Sequence, residues 1–225
     1  MNIRTLIVGS IAIGLLAALP LRAAEQMTRF DAKPGSGIKV RIEGTSTIHD
    51  WQVEGPLIGG FMEVGPKFPT EPGQAATPGK VEARVEAFIP VRSLKSIERD
   101  GSAYSDGMND VMYDKMKQTT NPRIYYRLNE LELKEPAKTK DAPYVFDAKG
   151  YLVVGGMTNT ISMPVKITPL GDKKLKVTGE TSVKMTDFKM EPPVKLGIFS
   201  TGDEVKLKFE WIVVQKAVPA AAATK

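Results

Sequence analysis

The run Val-Lys-Leu-Lys-Phe-Glu-Trp-Ile-Val-Val, residues 205–214, begins with a strict alternation of apolar and charged side chains. A period of two is typical of a β-strand with one buried face and one face in water. The same alternation recurs in residues 38–43, 81–89 and 161–167. It predicts about eight strands joined mostly by short turns that contain Gly or Asn. An antiparallel sheet with one apolar face has to close into a barrel or pack as a sandwich.

Two details of the alternation refine this prediction. The apolar parity changes between Leu128 and Leu131, which predicts a β-bulge near Asn129. The inward-facing positions mix large side chains such as Trp51 with small ones such as Gly179. That mixture fits a tapered cavity better than the uniform core of a sandwich.

One segment breaks the strand pattern. Residues 93–118 carry apolar side chains at helical spacings, and Asn121-Pro122 follows as a stop signal. The segment predicts one or two short helices inserted between strands, with Asp106 as the N-cap.

The N-terminal residues 1–24 have the features of an export signal. Arg4 precedes an apolar run from Leu6 to Leu19, and Pro20 separates this run from Ala23-Ala24. The run is shorter than the ~20 residues that span a bilayer, which favours a cleaved signal over an uncleaved anchor. Whether the segment is cleaved as a signal or kept as an anchor, the sequence predicts a periplasmic or secreted protein.

The rest of the chain is expected to form one domain. We predict a flexible lead-in over 25–36, a barrel domain over 37–217 and a disordered tail over 218–225, where the sequence is Ala-rich. The Pro- and Gly-rich stretch from Gly65 to Gly79 is either a domain boundary or a long hairpin loop.

Composition excludes much of enzyme chemistry. The chain has no Cys and one His among 225 residues, so thiol nucleophiles, Cys-zinc sites and multi-His metal sites are absent. The net charge is +5, and it falls to +3 without residues 1–24, which hold Arg4 and Arg22 and no acid. That charge is too small for the basic stripe of a nucleic-acid-binding protein.

Three segments together resemble the YceI-like proteins. They are Gly44–Gly55, which contains Thr-Ser-Thr-Ile-His-Asp-Trp, then Ile89–Ser96 with Asn121–Ile124, and Tyr151–Val165. The resemblance spans about residues 37–215, and it rests on the order and spacing of the segments. It implies an exported, lipocalin-like antiparallel barrel that encloses a long apolar chain such as a polyisoprenoid or a fatty amide, with no catalysis and no cofactor.

The predicted function is therefore to sequester or carry an amphiphilic lipid or isoprenoid inside an eight-stranded barrel. The side chains that we predict to line the cavity are Trp51, Val85, Tyr126, Met163, Val183, Phe209 and Trp211, with His49 as a polar contact at one end. The first alternative is a structural or interaction module whose barrel is filled by its own side chains. The remote alternative is a hydrolase that uses His49, although neighbours in a strand point to opposite faces, which separates His49 from Asp50.

Two sets of residues recur every four positions in the helical segment. Met108, Met112 and Met116 predict either a lid that touches the ligand or an ordinary core stripe. Asp106, Asp110 and Asp114 predict a solvated helix face rather than a metal site, because no calcium-binding loop accompanies them.

Lysines are frequent in the last third of the chain. Several alternate outward along strands, as Lys206 and Lys208 do, which is typical of a solvated outer face. The alternative is a surface for an anionic headgroup or a membrane.

Overall fold

The structure is a computed structural model that describes residues 26–33, 35, 37–195 and 198–217. The predicted export signal and the predicted C-terminal tail lie outside the described residues. The strands are β1 (Thr28–Ala32), β2 (Lys39–Ser46), β3 (Trp51–Gly55), β4 (Gly59–Val64), β5 (Gly79–Val81), β6 (Ala83–Pro90), β7 (Lys95–Ile97), β8 (Arg123–Glu135), β9 (Tyr144–Val154), β10 (Met157–Gly171), β11 (Lys174–Lys184), β12 (Val194–Lys195) and β13 (Phe199–Gln215). One α-helix, α1, spans Asp106–Lys115, and two 3-10 helices span Val91–Ser93 and Thr186–Phe188.

Eight of these strands close into an antiparallel barrel, as the sequence predicts. The neighbours in the wall are β1, β4, β6, β8, β9, β10, β11 and β13, and β13 pairs again with β1. Closure removes the free edges that would otherwise expose unpaired backbone groups. The bulge predicted near Asn129 is confirmed, because the register between β8 and β9 shifts between Leu128 and Glu130.

The strand that closes the barrel lies where the sequence predicts a loose lead-in. The prediction of a flexible segment over 25–36 is wrong for residues 28–32, which form β1. This strand has one buried apolar side chain, Phe30, which lies opposite Met62 on one side and Gln215 on the other. A single apolar position gives no alternation to detect, and the strand forms because both neighbouring edges accept its backbone hydrogen bonds.

The barrel wall continues at one end in a small flap. β2 pairs with the part of β13 that β1 does not cover, β3 pairs with β2, and β7 pairs with β3. The helical insertion attaches to this flap through Asn109, whose Oδ1 accepts a hydrogen bond of 2.7 Å from the backbone N–H of Ser96. At its other end α1 approaches the β9–β10 turn, where a Cβ on Gly155 would be 3.4 Å from the Met116 carbonyl oxygen. We call this end of the barrel the helix end.

The N-cap of helix α1 lies one residue earlier than the sequence predicts. The N-cap is Ser105, not Asp106, and the Ser105 Oγ accepts a hydrogen bond of 3.3 Å from the Met108 backbone N–H. Both residue types are good caps, and the extended backbone at Ser105 decides between them.

The opposite end, which we call the closed end, is filled by the long loop from Gly65 to Gly79. Phe68 of this loop is buried and stacks on Phe146 of β9 with ring centroids 5.3 Å apart. The Tyr144 hydroxyl also donates to the Gln74 carbonyl oxygen. Because β4 and β6 on either side of the loop pair with each other, the stretch belongs to one barrel and does not separate two domains. Among the described helices, none has the length and apolar character needed to cross a bilayer.

Candidate functional site

The interior of the barrel, its lumen, is lined mainly by apolar groups. Near the closed end the inward side chains are packed tightly, and Leu133, Phe146 and Val213 are at most 1% exposed. Near the helix end, inward side chains such as Val183 and Val205 keep part of their surface accessible. The lumen is therefore closed at one end and accessible from the other.

A cavity of about 100 Å³ lies within the lumen. A volume that large exceeds the roughly 10–15 Å³ that one water molecule needs. Five of the seven predicted lining residues are on its wall, namely Val85, Tyr126, Met163, Phe209 and Trp211. The rest of the wall consists of apolar side chains, with residues from β2, β4, β6, β8, β9, β10, β11 and β13. Whether these side chains touch a ligand stays a prediction.

Glycines on the inner face keep the lumen open. Three inward aromatic rings each lie over a glycine of the neighbouring strand: Trp51 over Gly44, Tyr126 over Gly150, and Phe209 over Gly179. A Cβ on any of these glycines would come within 2.2–2.7 Å of the nearest ring atom. Each ring therefore occupies the space beside a glycine on the wall. A larger residue in place of that glycine would push the ring into the lumen.

Trp51 and Val183, the other two predicted lining residues, are not on the cavity wall. Val183 lies opposite Val205 near the helix end, where both are partly buried and pack against the core. Trp51 is partly buried at the same end, and its Nε1 donates a hydrogen bond of 3.1 Å to the Thr45 carbonyl oxygen. Its ring borders a second, open depression.

This depression, which we call the rim basin, has a volume of about 560 Å³. It lies between the β2–β3 loop and the segment that leads into α1. The residues that line it are His49, Asp50, Trp51, Gln52, Ile97, Glu98, Arg99, Asp100, Tyr104 and Met108. The basin combines apolar side chains with charged and hydrogen-bonding groups, which suits the polar end of an amphiphile.

His49 is exposed in the rim basin and is not paired with a nucleophile. Its Nδ1 donates to the Asp50 backbone carbonyl at 2.8 Å, which leaves Nε2 to accept from the Tyr104 hydroxyl at 3.2 Å. The Ser46 hydroxyl donates to the backbone carbonyl of His49 at 2.7 Å, not to its ring. The arrangement positions an imidazole for hydrogen bonding and gives no serine–histidine pair.

The methionines predicted as a lid lie on the inner side of the helical segment. Met108, Met112 and Met116 are partly buried and pack against the core, while Val111 points outward and is 46% exposed. Helix α1 thus bridges from β7 to the β9–β10 turn with flexible apolar side chains below it. Asp106, Asp110 and Asp114 are all exposed, as expected of a solvated face.

The outward lysines of the last strands form ion pairs across the sheet. Lys176 contacts Glu210 at 2.6 Å, and Lys208 contacts Glu43 at 2.7 Å. Within the lumen, burial raises the pKa of Tyr126 to about 12. The phenol is therefore neutral at physiological pH and keeps its proton for hydrogen bonding.

Comparison with known proteins places the fold. A family model described as the YceI-like domain matches residues 43–212. A search of curated proteins finds no match. Among solved structures, BcnA from Burkholderia cenocepacia is 16% identical, covers 81% of this chain and 99% of its own, and superposes with a TM-score of 0.56. A polyisoprenoid-binding domain from Saccharophagus degradans, implicated in plant cell wall breakdown, is 11% identical, covers 83% of this chain and 98% of its own, and gives a TM-score of 0.57.

Proposed function

The chain belongs to the YceI-like family, and on that premise we propose that it binds an amphiphilic long chain, isoprenoid or fatty, inside its barrel and carries or sequesters it. The observation that carries this proposal is the apolar lumen that is closed at one end and accessible at the other. The polyisoprenoid-binding domain with the same fold supports the chemical class of the ligand.

Burial of the chain supplies the binding energy. Each methylene removed from water contributes ~0.8 kcal/mol, so about ten methylenes contribute about 8 kcal/mol before the costs of ordering. The apolar part of the ligand would lie in the lumen and its polar end in the rim basin. There His49, Arg99 and Tyr104 offer hydrogen bonds and a positive charge.

The cavity volume favours one competing function. About 100 Å³ is smaller than the roughly 300–1,000 Å³ of typical small-molecule sites, so a long chain requires the lumen to widen. Met62 and Met163 on the cavity wall are the side chains best suited to move, because Met is flexible and has several rotatable bonds. If they do not move, the protein is a structural or interaction module with a self-filled barrel.

Mass spectrometry of a lipid extract from the purified protein distinguishes these two functions. We expect one class of amphiphile at a stoichiometry near one per chain, lost in a Val85→Trp variant and retained in Ser162→Trp. Val85 lines the cavity, whereas Ser162 is exposed on the outer face of β10. Extracts without a stoichiometric amphiphile from wild-type protein would favour the self-filled barrel.

We propose a binding role without catalysis, because the only histidine makes its hydrogen bonds to a backbone carbonyl and a tyrosine. A turnover that is lost in His49→Ala while the variant keeps its fold would contradict this part of the proposal.

We also propose that the protein is exported and that its helix end contacts a membrane when the ligand is exchanged. Arg4 and the apolar run that follows it support export, which N-terminal analysis of the mature protein tests. Six large exposed apolar or aromatic side chains lie at the helix end, on loops, on α1, on β12 or at the first residue of β13, whereas Leu170 is their counterpart at the closed end. The six are Ile48, Tyr104, Val111, Val194, Ile198 and Phe199.

Vesicle flotation tests the membrane contact. Because acidic and basic residues alternate around the rim, as in Glu98-Arg99-Asp100, we expect neutral phosphatidylcholine vesicles to bind with little dependence on salt. The Ile198→Ser variant should weaken flotation, and Leu170→Ser at the closed end should not. Equal effects of the two substitutions would contradict a contact through the helix end.

A further inference from the structure

Two polar atoms inside the barrel stand out from their surroundings. Within the described part of the chain, the Tyr126 hydroxyl and the Trp211 Nε1 are the buried side-chain atoms without a hydrogen-bond partner. Both side chains are on the wall of the cavity, and Trp211 is only 3% exposed. All other side chains on that wall are aliphatic, thioether or phenyl groups.

The barrel does not need these groups for packing. A phenylalanine at position 126 would fill the same space without a hydroxyl. A buried polar group that lacks its hydrogen bond destabilises a protein, and exchange for an apolar group of the same shape is close to neutral or favourable. The polar atoms are therefore explained best by something that enters the lumen and pairs with them.

We propose that the buried part of the ligand carries a hydrogen-bond acceptor, such as a carbonyl, ether or hydroxyl oxygen, and that Tyr126 and Trp211 donate to it. This inference rests on the proposed function and narrows the ligand class: a plain hydrocarbon chain leaves both donors unpaired, and a chain with an oxygen in the right place does not. The indole N–H can only donate, and the neutral phenol donates as well, so an acceptor is the chemistry that both groups share.

The position of the phenol is built into the strands around it. Tyr126 lies opposite Leu152, and its ring lies over Gly150, two residues away on β9, where a Cβ would be 2.6 Å from the hydroxyl oxygen. A larger residue at Gly150 would clash with this hydroxyl and also with the Arg127 carbonyl oxygen, which would be 2.5 Å from the Cβ. Trp211 lies on β13, four strands away from β8 in the eight-stranded wall. A chain along the lumen axis therefore passes between the two donors.

A matched pair of probes tests the proposal. The delipidated protein is given a long-chain alkane or the ketone of the same length, and each displaces the fluorescent apolar probe N-phenylnaphthylamine. We expect the wild type to prefer the ketone by about fivefold to tenfold, the effect of one neutral hydrogen bond. Tyr126→Phe and Trp211→Phe should each lower that preference severalfold.

Tyr125→Phe is the control, because it removes a hydroxyl from the adjacent residue, which is 45% exposed on the outer face. Thermal unfolding of the ligand-free Tyr126→Phe protein should give a melting temperature equal to or above that of wild type. If the wild type does not prefer the ketone, or if both lumen variants keep the preference, the inference of a buried acceptor is wrong while the proposed function still stands. Displacement by neither probe would overturn the proposed function together with it.

Discussion

A single methyl group at Gly179 is expected to narrow the lumen. Gly179 lies on β11 directly opposite Phe209 of β13, and a Cβ there would be 2.6 Å from the ring Cζ and 2.7 Å from Cε1. Carbon atoms in favourable contact lie ~3.5–4.0 Å apart, so the ring has to move by about 1 Å. The Pro164 carbonyl oxygen lies 3.3 Å from the new methyl, which restricts movement of the Gly179 backbone in the opposite direction. The space available to the ring is the cavity.

The Gly179→Ala substitution should therefore reduce ligand uptake more than stability. Overpacking a core costs typically ~1–3 kcal/mol. Here we expect the lower part of that range, because the ring can enter a cavity of about 100 Å³. Replacement of a glycine inside a strand also recovers roughly 0.5–1 kcal/mol of backbone entropy. Gly179 has no positive φ, so alanine adds no backbone strain.

Titration with a fluorescent apolar probe and urea unfolding measure the two effects separately. We expect uptake to fall severalfold while the free energy of unfolding changes by less than about 2 kcal/mol. The double variant Gly179→Ala with Phe209→Leu should recover uptake, because the shorter side chain no longer has to enter the cavity. Wild-type uptake in Gly179→Ala, or a double variant as impaired as the single one, would refute the assignment of Phe209 to the wall of the binding space.

Three further predictions follow from other parts of the barrel. Val85→Trp places an indole in the cavity and should lower probe uptake with an unchanged far-UV circular dichroism spectrum; unchanged uptake would contradict the cavity assignment. Asn109→Ala leaves the buried Ser96 N–H without its acceptor, a loss of roughly 1–3 kcal/mol, and should speed hydrogen exchange across α1 rather than across β9 and β10. Because the pKa of Tyr126 is raised by burial to about 12 from the usual 10, the folded state holds this proton more tightly than the unfolded state. The free energy of unfolding is therefore unaffected by this ionisation below pH ~10 and falls by roughly 2–3 kcal/mol as the pH rises to ~12, a fall that alkaline unfolding of Tyr126→Phe should lack.

The strands of the barrel could be predicted from the sequence where apolar side chains alternate clearly with polar or charged ones. The change of parity between Leu128 and Leu131 is enough to locate the bulge, because one inserted residue exchanges the two faces of a strand. The strand β1 could not be predicted, since Phe30 is its single buried apolar side chain. Its formation depends on hydrogen bonds to β4 and β13, whose paired residues lie 30–36 and 181–185 positions away in the chain.

The site could be predicted as a set of inward faces but not as a shape. Parity tells which side of a strand Val183 and Phe209 occupy, and both do point inward. Parity does not tell how far along the barrel axis each one lies, because that depends on the stagger between distant strands. For this reason Val183 proves to lie beyond the cavity wall. The signal that was missed is a glycine at an inward position beside an aromatic residue on the next strand, as at Gly44 and Gly150.

The two ends of the barrel differ in how easily they open, because a different insertion covers each end. The loop from Gly65 to Gly79 brings Phe68 into a stacked, fully buried contact with Phe146, and large apolar contacts of this kind open only with the whole domain. Helix α1 is held instead by methionines that are only partly buried and by polar contacts, such as those of Asn109 with Ser96 and of the Tyr113 hydroxyl with the Leu94 carbonyl at 2.8 Å. A short helix held in this way can open locally without loss of the barrel. We therefore expect exchange of a bound chain to occur at the helix end, with the aromatic stack at the closed end remaining intact.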